Sequence, residues 1–220
     1  MKKIALITGG TSGIGAAIAQ NLSNEYEVIT VSRSENATVR GDLRNNFFRE
    51  YLVEKYTPDI FINNAAALFY DPYQMLEMNG TVPVDLLLKF YEKMPSGIIL
   101  NISSQSAERH VRPKEELTKS LYSIGKKYLK ETSISLNYSK NKPIKVMCLS
   151  PAATHTPIIE KITNYVPKEE DYTNYTWEES IAWMKPEEVA NIVRYMIDLP
   201  PHVAIPELVL DNHYSQATYW

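Results

Sequence analysis

The sequence predicts an α/β fold, a doubly wound parallel sheet with helices on both faces, and three observations carry that reading. Short apolar runs rich in β-formers alternate with longer amphipathic stretches of helical period. The short runs are almost continuously apolar, as strands covered on both faces must be. Four of only eight glycines fall from Gly9 to Gly15, directly between the first such run and the first helical stretch.

The first strand is Ile4 to Thr8, followed by a helix from Ile14 to Leu22. A second strand, Val28 to Val31, leads into a polar segment that reaches Tyr56 without a clear element. Then come a strand at Asp59 to Asn63, a helix at Met75 to Met94 and a strand at Gly97 to Ile102. A helix from Tyr122 to Tyr138 precedes a strand at Ile144 to Leu149, and Glu187 to Met196 and Glu207 to Leu210 are the last helix and strand. With no repeat or linker, residues 1–220 read as a single domain. The weakly patterned stretch Thr156 to Trp183 follows a strand's C-terminal end, where this architecture binds ligands, and reads as a substrate lid. Its Tyr165, Tyr172, Tyr175, Trp177 and Trp183 could line a pocket, and its acids (Glu160, Glu169, Glu170, Asp171, Glu178 and Glu179) disfavour strongly anionic ligands there.

Composition narrows the partners. A net charge of -3 gives no global field for nucleic acid or an anionic membrane, so neither is expected. The apolar run after Lys3 stops after five residues, too short for a secretory signal or a membrane span. The single Cys148 cannot form an internal disulfide, which points to the cytoplasm. Four scattered histidines with no i, i+4 pair predict no metal site.

A strand, a glycine turn and a helix start present backbone N–H groups and a positive helix end to a pyrophosphate. Gly9, Thr11, Ser12, Gly13, Ile14 and Gly15 are therefore candidate dinucleotide contacts. The second strand ends in Ser32-Arg33 where an NAD-binding chain would carry an acid. Arg33 can bond a 2'-phosphate, so NADP(H) is favoured over NAD(H).

The spacing Thr8-Gly9-x-x-x-Gly13-x-Gly15 resembles that of the short-chain dehydrogenases/reductases, and further signals of that family follow in order. Asp42-Leu43 looks like its adenine-contacting pair. Asn63-Asn64-Ala65-Ala66 resembles its Asn-Asn-Ala-Gly segment with alanine last, and Asn79 stands where the family has a helix asparagine. Asn101-Ile102-Ser103-Ser104 matches the end of its fifth strand, Tyr122 and Lys126 fit Tyr-x-x-x-Lys, and Pro151 to Thr156 resembles Pro-Gly-x-x-x-Thr. Lys185 to Ala190 and Leu208 to Asp211 look like its last helix entry and last strand. The resemblance implies a Rossmann-type fold and cofactor contacts from Asn64, Ala65, Ala66, Tyr122, Lys126, Pro151, Ala152, Thr154 and Thr156.

Tyr-x-x-x-Lys occurs three times. Tyr51/Lys55 precedes the fourth strand and Tyr138/Lys142 begins as a helix ends. Only Tyr122/Lys126 follows a strand ending in serine and opens a helix, with both side chains on one face. Reduction of a carbonyl by hydride also needs a proton, which a phenol can give. Its pKa of about 10 makes it weak, and a nearby ammonium that lowered it ~3 units would supply about 4 kcal/mol. Lys126 is placed for that. The resemblance further implies that Lys126 holds the nicotinamide ribose, that Ser104 bonds the substrate oxygen, and that Asn79 keeps a water linking the lysine to solvent. Ser103 and Ser106 lie close to Ser104, which is preferred as the second serine of its pair.

Two spacings depart from the family. Ser104 and Tyr122 lie 18 apart, implying an insertion within 107–119 whose Arg109, His110, Arg112 and Lys114, beside Glu115 and Glu116, could meet an anionic substrate group. Only 16 positions separate Asn63 from Asn79, which would move the start of the Asn79 helix. His155 reads as a loop histidine.

The function expected is an NADP-dependent carbonyl reductase or alcohol dehydrogenase acting on a small carbonyl or alcohol. Its rival is a non-catalytic NADP(H)-binding regulatory protein, against which the complete Asn, Ser, Tyr and Lys set argues. A nucleotide-sugar epimerase or dehydratase shares the chemistry but usually has a longer C-terminal substrate domain than the residues after Thr156 provide. The helices holding Asn79 and Tyr122 are expected surfaces of a homodimer or homotetramer, as in the resembled family.

Overall fold

The computed structural model describes residues 2–108, 117–163, 166, 168, 172 and 183–212. The first half runs β1 (Lys3–Thr8), α1 (Gly13–Leu22), β2 (Tyr26–Ser32), β3 (Val39–Arg40), α2 (Asn46–Lys55) and β4 (Ile60–Asn63). Next come α3 (Pro72–Leu76), a π turn (Glu77–Thr81), α4 (Val82–Lys93), β5 (Gly97–Ile102), a 3-10 turn (Gln105–Glu108) and α5 (Leu117–Ser139). The chain continues with β6 (Ile144–Ser150), α6 (Pro157–Thr163), α7 (Pro186–Asp198) and β7 (Glu207–Val209).

The seven strands form one parallel sheet in the order β3-β2-β1-β4-β5-β6-β7. Successive strand residues alternate between two cores. Phe61, Ile99 and Val146 pack with Phe90 of α4 and Leu129 of α5, whereas Ile62, Leu100 and Met147 pack with Ile18 of α1 and Val193 of α7. Each such fully buried side chain contributes about 2 kcal/mol of hydrophobic stabilisation. The chain reverses its direction of progress between β1 and β4, which opens a crevice at their C-terminal ends.

Several boundaries differ from expectation. The polar segment holds β3 and α2. The strand is only two residues long, and α2 fully buries only Leu52, so neither leaves a strong hydrophobic period. Asn45 caps α2, accepting from the Phe48 N–H at 3.3 Å. The helix expected from Met75 begins at Pro72, where Asp71 caps the Gln74 N–H at 2.8 Å, and is broken by the π turn. Helix α5 is already formed at Leu117, so Tyr122 lies in its second turn rather than opening it. Of the expected lid, α6, Val166, Lys168, Tyr172 and Trp183 are described. Tyr165, Glu169, Glu170, Asp171, Tyr175, Trp177, Glu178 and Glu179 lie outside the described residues, as do Arg109, His110, Arg112, Lys114, Glu115 and Glu116 of the insertion. Among the described residues no helix is long and apolar enough to cross a membrane.

Candidate active site

The glycine turn sits at the mouth of the β1/β4 crevice. Gly9 (φ 66°) and Gly13 (φ 51°) adopt left-handed conformations that a Cβ disfavours. A Cβ on Gly15 would lie 2.2 Å from the Gly9 carbonyl oxygen. Ser12, at the N-cap of α1, makes no side-chain capping bond, which leaves the first helical N–H groups for an anionic acceptor. The turn is braced from both sides. Thr11 Oγ1 and Ser32 Oγ are 2.9 Å apart. Across the crevice, Thr8 Oγ1 accepts from the Asn64 and Ala65 N–H groups at 2.9 and 3.1 Å, and Asn64 Nδ2 donates to the carbonyls of Thr8 and Gly9. The Asn64 side chain therefore holds the turn in place.

The segment after β6 returns to this turn. Pro151, Ala152 and Thr154 are buried, and the Thr156 methyl would touch a Cβ on Gly13 at 3.0 Å. At the other end of the crevice's rim, Arg33 is exposed and has no ion-pair partner among the described residues. Asp42 is paired with Arg44 at 2.8 Å, whose hydrogen bond holds the carboxyl below the usual carboxylate range. The Leu43 side chain belongs to the core. A half-buried cradle of N–H groups at the start of α1 fits the pyrophosphate of a nicotinamide dinucleotide.

The second cluster lies beyond β5. Gly80 and Gly125 let the π turn and α5 approach closely, since a Cβ on Gly125 would lie 3.0 Å from the Asn79 carbonyl carbon. Asn79 is fully buried. Its Nδ2 donates to the carbonyls of Ala67 (2.7 Å) and Met75 (2.9 Å), and its Oδ1 accepts from the Ala67 N–H at 3.3 Å. Both amide protons are thus spent within the fold, bracing the π turn against the loop after β4.

Tyr122, Lys126 and Lys130 repeat every four residues along one side of α5. Lys126 is buried, donates from Nζ to the Ile102 carbonyl at 2.9 Å, and stands 5.8 Å from the centre of the Tyr122 ring. Burial lowers its pKa to about 8, an effect that Cys148 partly opposes. Ser103 and Ser104, just past the end of β5, divide their tasks. The Ser103 hydroxyl donates to the Lys126 carbonyl at 2.9 Å, whereas Ser104 acts on the Tyr122 phenol, favouring its ionised form. Ser104 Oγ also accepts from the N–H and hydroxyl of Ser106. Burial raises the Tyr122 pKa and Ser104 works against it. The expectation that Lys126 pulls this pKa down is therefore corrected: in this structure desolvation dominates and the phenol is neutral near pH 7.

Two further clusters escaped the sequence reading. Lys130 is buried and bonds Glu108 of the 3-10 turn at 2.8 Å and Glu207 of β7 at 3.1 Å, fastening the turn after Ser104 to α5. The repeat at 122, 126 and 130 was visible, but its partners come from remote strands. His155 bonds Glu160 through Nε2 at 2.8 Å and Tyr172 through Nδ1, so it joins α6 to Tyr172. Its backbone N–H donates to Met184, and a cavity of about 580 Å³ opens between this cluster and α1.

Comparison with known proteins places this geometry. The family model described as "NAD dependent epimerase/dehydratase family" matches residues 5–160. A glycine betaine reductase of Emericella nidulans is 26% identical over 95% of this chain, which spans only 18% of that protein's length. Dehydrogenase/reductase SDR family member 11 of Bos taurus is 26% identical, with 94% of each chain covered. Among solved structures, the closed form of a serine dehydrogenase complexed with NADP+ superposes with a TM-score of 0.79 at 19% identity, covering 99% of this chain and 98% of that one. That last likeness is one of fold.

Proposed function

The chain belongs to the NAD dependent epimerase/dehydratase family and is an oxidoreductase of the short-chain dehydrogenase/reductase kind, and from that premise we propose that it moves hydride between NADP(H) and a small carbonyl or alcohol. The observation that carries the reading is Lys126 of α5, whose Nζ stands 5.8 Å from the centre of the Tyr122 ring and bonds the Ile102 carbonyl at the C-terminal end of β5, with Ser104 just beyond that end. The epimerase and dehydratase members named by the family model share this chemistry, but the match ends at residue 160 and leaves residues 161–220 uncovered.

When bound, the nicotinamide supplies the hydride. The chain's own work is to bind, orient and supply the proton. Gly9, Thr11, Ser12, Gly13, Ile14 and Gly15 cradle the pyrophosphate, with Ser32, Arg33, Asp42 and Leu43 at the adenosine end. Ala65, Ala66, Pro151, Ala152, Thr154 and Thr156 close round the other end, and Asn64 braces the turn. Tyr122, neutral near pH 7, gives its proton to the carbonyl oxygen. The phenolate left behind is favoured by Ser104 and by the Lys126 ammonium 5.8 Å from the ring. Asn79 braces the π turn, which packs on α5 through Gly80 and Gly125, against the loop after β4.

Preference for NADP(H) is supported by Arg33 at the end of β2, and by the serine dehydrogenase structure that was complexed with NADP+. A homodimer or homotetramer is supported by Leu88 of α4 and Ile124 and Tyr128 of α5, all exposed on the faces expected to meet a second copy. The test is NADPH oxidation against a panel of small aldehydes and ketones. Carbonyl-dependent oxidation is the expected result; tight NADPH binding without turnover of any member would instead favour a regulatory dinucleotide-binding protein.

A further inference from the structure

We infer that Arg40 is a second arm, beside Arg33, for the 2'-phosphate of the adenosine ribose, and that Glu35 occupies it when the phosphate is absent. The inference rests on the NADP(H) reading above.

Strand β3 is only two residues long, yet its register is informative: Val39 pairs with Val31 and Arg40 with Ser32. Register partners in neighbouring parallel strands project to the same face. The Ser32 hydroxyl meets the Thr11 hydroxyl of the glycine turn at 2.9 Å, so the face that Ser32 and Arg40 share is the one that carries the dinucleotide cradle. Arg40 is also fixed in position. Its Nε donates to the carbonyl of Arg33 at 3.1 Å, which ties one guanidinium to the backbone of the residue carrying the other.

The remaining guanidinium donors of Arg40 are held loosely. Nη1 lies 3.5 Å from Glu35 Oε1, and the two side chains are 62% and 86% exposed. An ion pair that open to water contributes little, so a phosphate dianion can displace the carboxylate. The third arginine of this corner is committed elsewhere. Arg44 bonds Asp42 through Nε and Nη2 and lies over the Phe69 ring, which also neutralises an acid that feels Arg33's charge. A 2'-phosphate beside Ser32 would thus face two arginines with their competing acids either paired or weakly bound. NADH presents a hydroxyl at that position and gains nothing from Arg40's charge.

The test measures dissociation constants for NADPH and NADH by fluorescence titration, without turnover, on wild type and on Arg40→Ala, Glu35→Gln and Arg33→Ala. Arg40→Ala is expected to weaken NADPH about tenfold and to leave NADH within about twofold. Glu35→Gln is expected to tighten NADPH about two- to threefold with NADH unchanged, an effect that no folding defect imitates. If Arg33→Ala selectively weakens NADPH while Arg40→Ala shifts both dinucleotides alike or neither, the Arg40 assignment is overturned and the NADP(H) reading survives. If wild type shows no preference for NADPH and Arg33→Ala changes nothing, that reading falls and the assignment falls with it.

Discussion

The Lys126 ammonium gives its hydrogen bond to the Ile102 carbonyl at 2.9 Å while standing 5.8 Å from the centre of the Tyr122 ring. In the proposed reaction this buried cation faces the phenolate formed when Tyr122 gives up a proton, and keeping it charged costs stability. Burial brings its pKa from 10.5 to about 8. Between those values the unfolded chain binds the extra proton, so stability rises with pH across that window, and the cost is fully present below about 8.

Lys126→Met should therefore be more stable than wild type at pH 7, by up to about 3 kcal/mol. The gain should shrink as pH rises from 8 to 10.5 and vanish above. Chemical denaturation across pH measures it, and activity should be lost in the same variant. A variant less stable than wild type at pH 7 would contradict the buried-cation account.

Lys130 should matter to both stability and turnover. Its removal leaves Glu108 and Glu207 unpaired, although each keeps about a third of its side chain in water. Lys130→Met is expected to cost about 1–3 kcal/mol in denaturation. It should also lower kcat more than it weakens NADPH binding, because the turn after Ser104 comes loose, and Lys130→Arg should restore part of both.

Gly15→Ala tests the cradle. The new Cβ would lie 2.2 Å from the Gly9 carbonyl oxygen, against backbone that cannot yield cheaply. The turn must shift, and the NADPH dissociation constant should rise at least about tenfold, with a loss of about 1–3 kcal/mol in stability. Titration and thermal melting read the two effects separately.

Tyr51→Phe is the matching control for the repeated Tyr-x-x-x-Lys. On α2, Lys55 donates to the Tyr51 hydroxyl at 2.7 Å, a direct bond that Tyr122 and Lys126 do not make. That pair is exposed, so the substitution should leave kcat/KM and melting temperature within error. A marked loss of activity would mean that the wrong pair had been placed in the site.

What the sequence made legible follows the range of each signal. β1, the glycine turn and the Tyr122/Lys126 pair are local patterns: β1 and the turn stand where their spacing put them, and the pair lies on one helix as expected, although in its second turn rather than at its start. Helix α2 was hidden because it buries only Leu52 fully, and β3 because two residues carry no period. The π turn at Asn79 depends on bonds to Ala67 and Met75, which no helical propensity shows. Lys130's partners come from the turn after β5 and from β7, and the raised Tyr122 pKa comes from burial, a property of packing rather than of spacing.

The proton donor is the centre of this account, and Tyr122→Phe probes it most directly. The measurement is the rate of NADPH oxidation with a carbonyl that wild type reduces, at saturating NADPH, alongside the NADPH dissociation constant. The account predicts a loss of about a hundredfold or more in rate with the dissociation constant within about twofold of wild type. A Phe variant that binds NADPH and reduces the carbonyl at the wild-type rate would contradict it.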